Sequence, residues 1–385
     1  MGRSDRAKVR RAMRHMSRHG GFAVPGVLAC VVSLRALVLL PGTEAASAVD
    51  SSSAVKVVDV SGVGLSGVSC NSKTFCVAVG SEDSEDQGAV LPISHGVPET
   101  AEIISDAGSW SSLSAISCPD STHCVAVGEF PTKSPQGPTT TAGLVVGIKS
   151  GTPGSYSRVL GPGLVASPDW DYLYGVGCTT KSECKAAGED AYLGGIVVPL
   201  TTEEVQGVDD YRMNGASCFA KNYCIATGAS EPESGGPNSG IAVGGKVGQT
   251  KGWAEWDAGS SLNGAGCHSD NSDSCVAVGS NTKGNKGVVL SIVNLTQAKA
   301  ENVPGVTGLN GVACEGASYC VAVGQNSAGE GVLVGFTGNR VGATVPVPGT
   351  SQLVAVGCAS NMSCIAVGSD DSDEAVLVEF SLPLR

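Results

Sequence analysis

Aromatic residues make up only 4% of this 385-residue chain: six Phe, four Trp and seven Tyr. The large rings that usually fill a protein core are therefore in short supply. Arginine is scarcer in the body of the chain. After residue 48 there are only Arg158, Arg212, Arg340 and Arg385, and this excludes the cluster of guanidinium groups that grips a carboxylate ligand. No run shows the 3.6-residue apolar period of a helix. G-x-S-x-G, P-loop and zinc-protease motifs are absent, so no nucleophile, phosphate cradle or hydrolytic metal is indicated. The histidines after residue 48, His95, His123 and His268, are expected at the surface. No catalytic residue can be named.

What the sequence does contain is one motif written seven times. Aligned on its second cysteine, it reads "SCNSKTFCVAVG", "SCPDSTHCVAVG", "GCTTKSECKAAG", "SCFAKNYCIATG", "GCHSDNSDSCVAVG", "ACEGASYCVAVG" and "GCASNMSCIAVG". The pairs are Cys70/Cys76, Cys118/Cys124, Cys178/Cys184, Cys218/Cys224, Cys267/Cys275, Cys314/Cys320 and Cys358/Cys364. Alanine always follows two residues after the second cysteine, and glycine four after. The first cysteines lie 48, 60, 40, 49, 47 and 44 residues apart. A period in this range, made of short apolar runs and turns, predicts a repeat array.

Each unit divides into four short strands, A to D. In the first these are "LSGVSC", "FCVAVG", "GAVLPIS" and "TAEIIS". Four strands per unit of this length predict an all-β fold, the seven-bladed β-propeller, with a β-solenoid as the alternative. After Cys358 there is chain for strands A, B and C only ("AVLVEFSL"), so strand D of the last blade is assigned to "AVKVVDV" at 54–60. Both termini then close one blade and hide the sheet edges.

A Cys-x5-Cys pair flanking an A–B turn can bridge its own hairpin. Fifteen cysteines minus seven pairs leave only Cys30, and even pairing suits an oxidising compartment. Zinc is the weaker reading, because it needs pairs that converge on one ion. The cysteines are thus expected to act as staples across the turn. The alanine and glycine are expected to keep one strand face small where blades crowd together.

Residues 1–48 stand outside the repeat. A basic stretch, the apolar "FAVPGVLACVVSLRALVLLPG" and "ASA" before Val49 predict a secretory signal peptide, with 49–385 forming the propeller. Retention as a membrane anchor is the alternative, interrupted by Arg35. Without these 48 residues, 16 basic and 34 acidic residues remain, a net charge of about −18. That balance argues against nucleic acid and anionic membranes as partners. The expected product is an extracellular monomer.

Propeller geometry places B–C and D–A loops on one face, where the longest inserts fall: "EFPTKSPQGPTTT", "ASEPESGGPNSG" and "GPGLVASPDWDYL". Variation confined to one face marks a binding face. Two B–C loops, in the first and last repeats, carry Glu82, Asp83, Glu85 and Asp86, and Asp370, Asp371, Asp373 and Glu374. Ring closure makes them neighbours, giving oxygen ligands suited to Ca²⁺; solvated turn residues are the other reading. Trp110 and Trp170, in D–A connections, and Trp253 and Trp256 nearby, are candidates for stacking on sugar rings, with packing as the alternative.

At "CVAVG" followed by a turn and "GVVL" (287–290) or "GVLV" (331–334), the repeat resembles the blades of photosystem II assembly factor-like and BNR/sialidase-like propellers. The "SC-x5-CVAVG" form resembles secreted bacterial repeat proteins of the high-GC Gram-positive group. The resemblance implies the propeller fold and export, and brings no activity with it. It departs from sialidases in lacking the S-x-D-x-G-x-x-W box. The reading is thus a secreted, non-catalytic binding or scaffold propeller with a protein or glycan ligand. A glycan-active hydrolase or lyase using the acidic loops is the runner-up, and an anchored envelope protein the third.

Overall fold

The computed structural model describes residues 55–72, 74–107, 110–132, 140–159, 171–190, 193–200, 206–208, 211–220, 223–230, 240–246, 254–257, 260–268, 274–281, 283–293, 297–315, 319–337, 340–359 and 362–384. The expected signal peptide lies outside them. Residues 51–385 form one compact unit, in which seven antiparallel sheets make a seven-bladed β-propeller.

Blade 6 shows the plan, with strands A (Val306–Glu315), B (Tyr319–Asn326), C (Gly331–Thr337) and D (Arg340–Val347) hydrogen-bonded in that order. Blade 7 takes its strands A to C from Gln352–Cys358, Ser363–Ser369 and Ala375–Ser381. Its strand D is Lys56–Val60, paired with strand C from Lys56↔Glu379 to Val60↔Ala375. The two ends of the propeller sequence therefore close the ring in one sheet. Blade 1 departs from expectation: strand D is split into Val97–Pro98 and Glu102–Ile103, both against strand C. Pro92 and Pro98 each lack an N–H for a continuous ladder.

The hydrophobic core is divided into seven layers, one between each pair of neighbouring blades. In strand B the second cysteine and the alanine point toward the preceding blade, and the residues between them toward the next. Val77, Val79 and Val90 of blade 1 thus meet Cys124, Ala126, Leu144 and Val146 of blade 2. Ring closure repeats this, with Ile365, Val367 and Leu377 of blade 7 against Cys76, Ala78, Leu91 and Ile93 of blade 1. Such layers are thin enough for Val, Ala and Cys, so the scarcity of aromatics and the blade geometry have one cause. The alanine is small for the expected reason, because two blades crowd at it.

The glycine has a different cause. Strand A of every blade carries a β-bulge four residues before its first cysteine, for example between Leu65 and Gly67 and between Leu262 and Gly264. The bulge pushes a strand-A carbonyl toward strand B of the same blade. A Cβ on Gly80 would lie 1.8 Å from Gly64 O, and one on Gly279 1.9 Å from Ser261 O. The crowding that demands glycine lies inside the hairpin.

All seven expected disulfides are present, each within its own A–B hairpin, with Cα atoms 4.0–4.1 Å apart. They join Cys70 to Cys76, Cys118 to Cys124, Cys178 to Cys184, Cys218 to Cys224, Cys267 to Cys275, Cys314 to Cys320 and Cys358 to Cys364. Most separations are six residues, and blade 5 has eight.

The two sulfurs of a pair are not equivalent, which adds to the expected staple across the A–B turn. The first cysteine of each pair is partly exposed, and all but Cys118 line the channel. The second, Cys76, Cys124, Cys184, Cys224, Cys275, Cys320 or Cys364, is buried, at no more than 6% exposure. Strand B carries it into the layer between blades, where it packs as a small hydrophobe. Cys184 shares its cluster with Val127 of blade 2, Cys275 with Ile225 of blade 4, and Cys364 with Val321 and Val323 of blade 6. Cys224, 3% exposed, holds the same place in blade 4. Each bridge therefore ties its hairpin to the core as well as closing the turn. Among the described residues no helix is long and apolar enough to cross a membrane.

Candidate ligand-binding mouth of the central channel

The seven strands A line a narrow central channel with two consecutive chambers of about 160 and 210 Å³. The chamber near the cysteines is lined by small residues, Ser, Ala or Gly, just before each first cysteine. There Ser69, Ser117 and Ser217 hydroxyls accept hydrogen bonds from the N–H of Cys118, Cys178 and Cys267 in the next blade, at 3.1–3.2 Å. The chamber toward the D–A connections is lined by the bulge residues Ser66, Ser114, Tyr174, Asn214, Asn263, Asn310 and Val354. The three asparagine amides donate to strand-A carbonyls of the following blade, Leu262, Leu309 and Leu353, at 2.8–3.0 Å. Bulge residues thus hold blades together while their amide oxygens keep acceptor capacity.

The repeat breaks at this mouth in blades 2 to 4. Tyr174 takes a bulge position otherwise held by Ser, Asn or Val, and Tyr172 and Arg212 take equivalent positions two residues earlier in blades 3 and 4. The rings of Tyr172 and Tyr174 are parallel with centroids 5.9 Å apart. The Arg212 guanidinium lies over Tyr174, 4.2 Å from its centroid, and its Nε is 4.0 Å from Glu189 Oε2. Arg212 keeps 42% of its side chain exposed. Its Nε is buried without a hydrogen-bond partner. Burial pushes the Tyr174 hydroxyl above its ordinary range, with Arg212 opposing and the Glu189 and Glu129 carboxylates adding to the rise. Two rings, one cation and two carboxylates therefore share one rim of the channel. Sequence reading missed this group, although Arg212 was visible as one of four arginines. Its signal was the departure of Tyr172, Tyr174 and Arg212 from the repeat, legible only once the bulge positions are aligned.

The acidic loops sit on the same face, in blades 1 and 7. Glu82 accepts hydrogen bonds from the Ser84 hydroxyl and the Glu85 N–H, which hold its pKa below the usual range. Asp370 Oδ1 accepts from the N–H groups of Ser372 and Glu374. Asp86 and Asp373 adopt left-handed backbone, φ 52° and 64°, as turn acids do. Among the described residues, no three of the eight acids bring carboxylate oxygens within 4.8 Å of one another.

Trp110 is 66% exposed on the connection between blades 1 and 2, with φ 74°, a costly conformation for a bulky residue. Trp170 and Trp253 lie outside the described residues, as do most of the three long inserts. Trp256 is in strand D of blade 4, opposite Ala242. Among the histidines, His95 is exposed in a C–D turn, and His123 is partly exposed, with Nδ1 3.0 Å from Asp120 Oδ1. His268 corrects the surface expectation. It is only 3% exposed and lies against Cys320 of blade 6.

Fold and site together define a disulfide-stapled seven-bladed propeller with a differentiated channel mouth. Its similarity to known proteins is structural. No family model matches the chain, and no curated protein matches it in sequence. Among solved structures, YCF48 from Cyanidioschyzon merolae aligns over 85% of this chain and 99% of its own, at 15% identity and a TM-score of 0.53. A structure from an analysis of two prolyl endopeptidases aligns over 82% of this chain and 47% of its own, at 12% identity and a TM-score of 0.48. A glucose dehydrogenase aligns over 85% of this chain and 100% of its own, at 12% identity and a TM-score of 0.45. At such identity the likeness to YCF48 bears on the fold alone.

Proposed function

We propose that the protein is an exported, non-catalytic binding propeller that presents its B–C/D–A face to a glycan or protein ligand. The observation that carries this is the local departure at the channel mouth, where Tyr172, Tyr174, Arg212 and Glu189 stand at positions that most other blades fill with uncharged, non-aromatic residues. A residue kept in every blade serves the frame, so a local departure that gathers rings and charge is better suited to recognition. Exposed Trp110 adds an apolar surface on the same face. Seven disulfides and the basic-apolar-small pattern of residues 1–48 support export.

The test is a glycan array probed with the oxidised protein beside Arg212→Ala and Trp110→Ala variants. Binding weakened by at least tenfold in either variant supports the mouth as the site. Binding that is unchanged in both rejects this face. If the array is silent, the same two variants are compared against the wild type in cross-linking to a cell-surface extract.

A further inference from the structure

The junction between blades 5 and 6 holds a second departure from the repeat. After the first cysteine the other blades carry Asn71, Pro119, Thr179, Phe219, Glu315 and Ala359, whereas blade 5 carries His268. Blade 5 also spaces its cysteines by eight residues where the others use six. The His268 N–H donates to Ser274 O at 3.1 Å, closing the enlarged turn. The imidazole is thereby turned under blade 6, with Nε2 3.4 Å from Cys320 Sγ. Among the described residues, His268, Cys314 and Cys320 are the one group of three or more His, Cys, Asp or Glu whose ligand atoms all lie within 4.8 Å. The two sulfurs of this group are joined as the blade 6 disulfide.

We propose that this junction is a metal site held shut by its disulfide. Once Cys314–Cys320 is reduced, the two thiolates and the imidazole of His268 take a soft divalent cation of the Zn²⁺ class. Sulfur and imidazole donors select such an ion over Ca²⁺ or Mg²⁺, and three protein ligands leave a fourth position to water. The three donors already stand together from two blades, so little ordering remains to be done on binding.

Opening needs two electrons, which two small-molecule thiols supply. One thiolate attacks Cys314, the partly exposed sulfur, and the S–S bond breaks with Cys320 leaving as thiolate. The second thiolate attacks the reductant's sulfur in the mixed disulfide and releases Cys314 as thiolate. The reductant departs as its own disulfide, and its two thiol protons pass to solvent as the cation binds the thiolates. Cys320, 1% exposed, is the sulfur beside the imidazole.

The full oxidised chain is treated with a limiting water-soluble phosphine, which delivers the same two electrons, leaves as its oxide and competes weakly for the cation. Parallel samples contain Zn²⁺ or EDTA, and free thiols are then alkylated and mapped by peptide mass. Zn²⁺ is expected to slow alkylation of Cys314 and Cys320 at least tenfold, leaving Cys118 and Cys124 unaffected. Co²⁺ should give a thiolate charge-transfer band that saturates at one equivalent. His268→Ala should weaken Co²⁺ binding at least tenfold, and a Cys314→Ser/Cys320→Ser variant should abolish the band with the other six bridges intact. The proposal is overturned if Zn²⁺ protects this pair no better than the others or if the band persists in the double serine variant. It also fails if Co²⁺ binding is unchanged in His268→Ala, or if the pair opens only when the strand circular dichroism is lost.

Discussion

The two ends of the central channel are built from the same seven strands and have opposite characters. At the cysteine end every blade repeats a disulfide-closed hairpin, with a longer cysteine spacing only in blade 5. At the other end the bulge positions hold Ser, Asn, Tyr and Val, and Arg212 stacks on Tyr174. Uniformity marks where the ring is held, because each blade must solve the same packing problem. Variation marks where the fold no longer dictates the residue, and there chemistry has been placed. The difference can be tested by substitutions, which should cost more at repeated positions than at the mouth.

The largest effect is expected at the repeat glycine. Gly279→Ala would place a methyl group 1.9 Å from Ser261 O, a backbone atom fixed by the bulge. The loss should reach about 3 kcal/mol or more, read as a drop in the denaturant midpoint. A change under about 1 kcal/mol would mean that the bulge moves aside and that the glycine is not its partner.

Next comes a single bridge. Cys118→Ala with Cys124→Ala releases a seven-residue loop in a hairpin, worth about 2 kcal/mol on chain-entropy grounds. Similar loop lengths predict similar losses at each of the other bridges. Calorimetry on the variants, one blade at a time, would show whether the stapled face is as uniform in energy as it is in geometry.

Lys185 is an exception within the repeat. It stands where the other blades have Val or Ile, 1% exposed, and burial pulls its ammonium down to about 8 from 10.5. Between those values the unfolded chain still holds the proton and the folded chain has released it. Stability therefore rises with pH from about 8 to 10.5 and is insensitive to this group below that window. Lys185→Ile should raise stability by about 1 kcal/mol at pH 7 and flatten the slope. A slope unchanged in the variant would assign the pH dependence to another group.

Most of the architecture was legible because each blade states it again. Seven cysteine pairs gave the disulfides, and the missing last strand D gave ring closure through residues 56–60. The unequal burial within a pair was not read, although strand alternation implies it: Cys184 and Cys364 share a strand face with Ala186 and Ala366. The bulge was not legible, since Ser66, Asn214 and Val354 share no residue type that names it. Consequently the repeat glycine was assigned to crowding between blades, when the atom it avoids lies in its own hairpin. The mouth was hidden for a related reason. Tyr174 and Arg212 are 38 residues apart in sequence, and only the shared position relative to the bulge brings them together. Turn acids such as Asp370 were legible as a cluster, yet their role in holding backbone N–H groups depends on loop conformation.

The smallest effect on stability should follow a change at the mouth, and its smallness is what gives it meaning. Arg212 is 42% exposed. Its contact with Tyr174 is worth about 0.5–1 kcal/mol, and its ion pair with Glu189 at 4.0 Å adds little in solvent. Arg212→Ala should thus lower stability by less than about 1 kcal/mol, against about 3 at the glycine, while releasing the guanidinium's pull on the Tyr174 hydroxyl. Denaturant midpoints of Arg212→Ala and Gly279→Ala, measured side by side, would register the contrast. Were Arg212→Ala instead as damaging as the glycine change, Arg212 would be part of the frame, and the contrast between a fixed end and a free end of the channel would have to be abandoned.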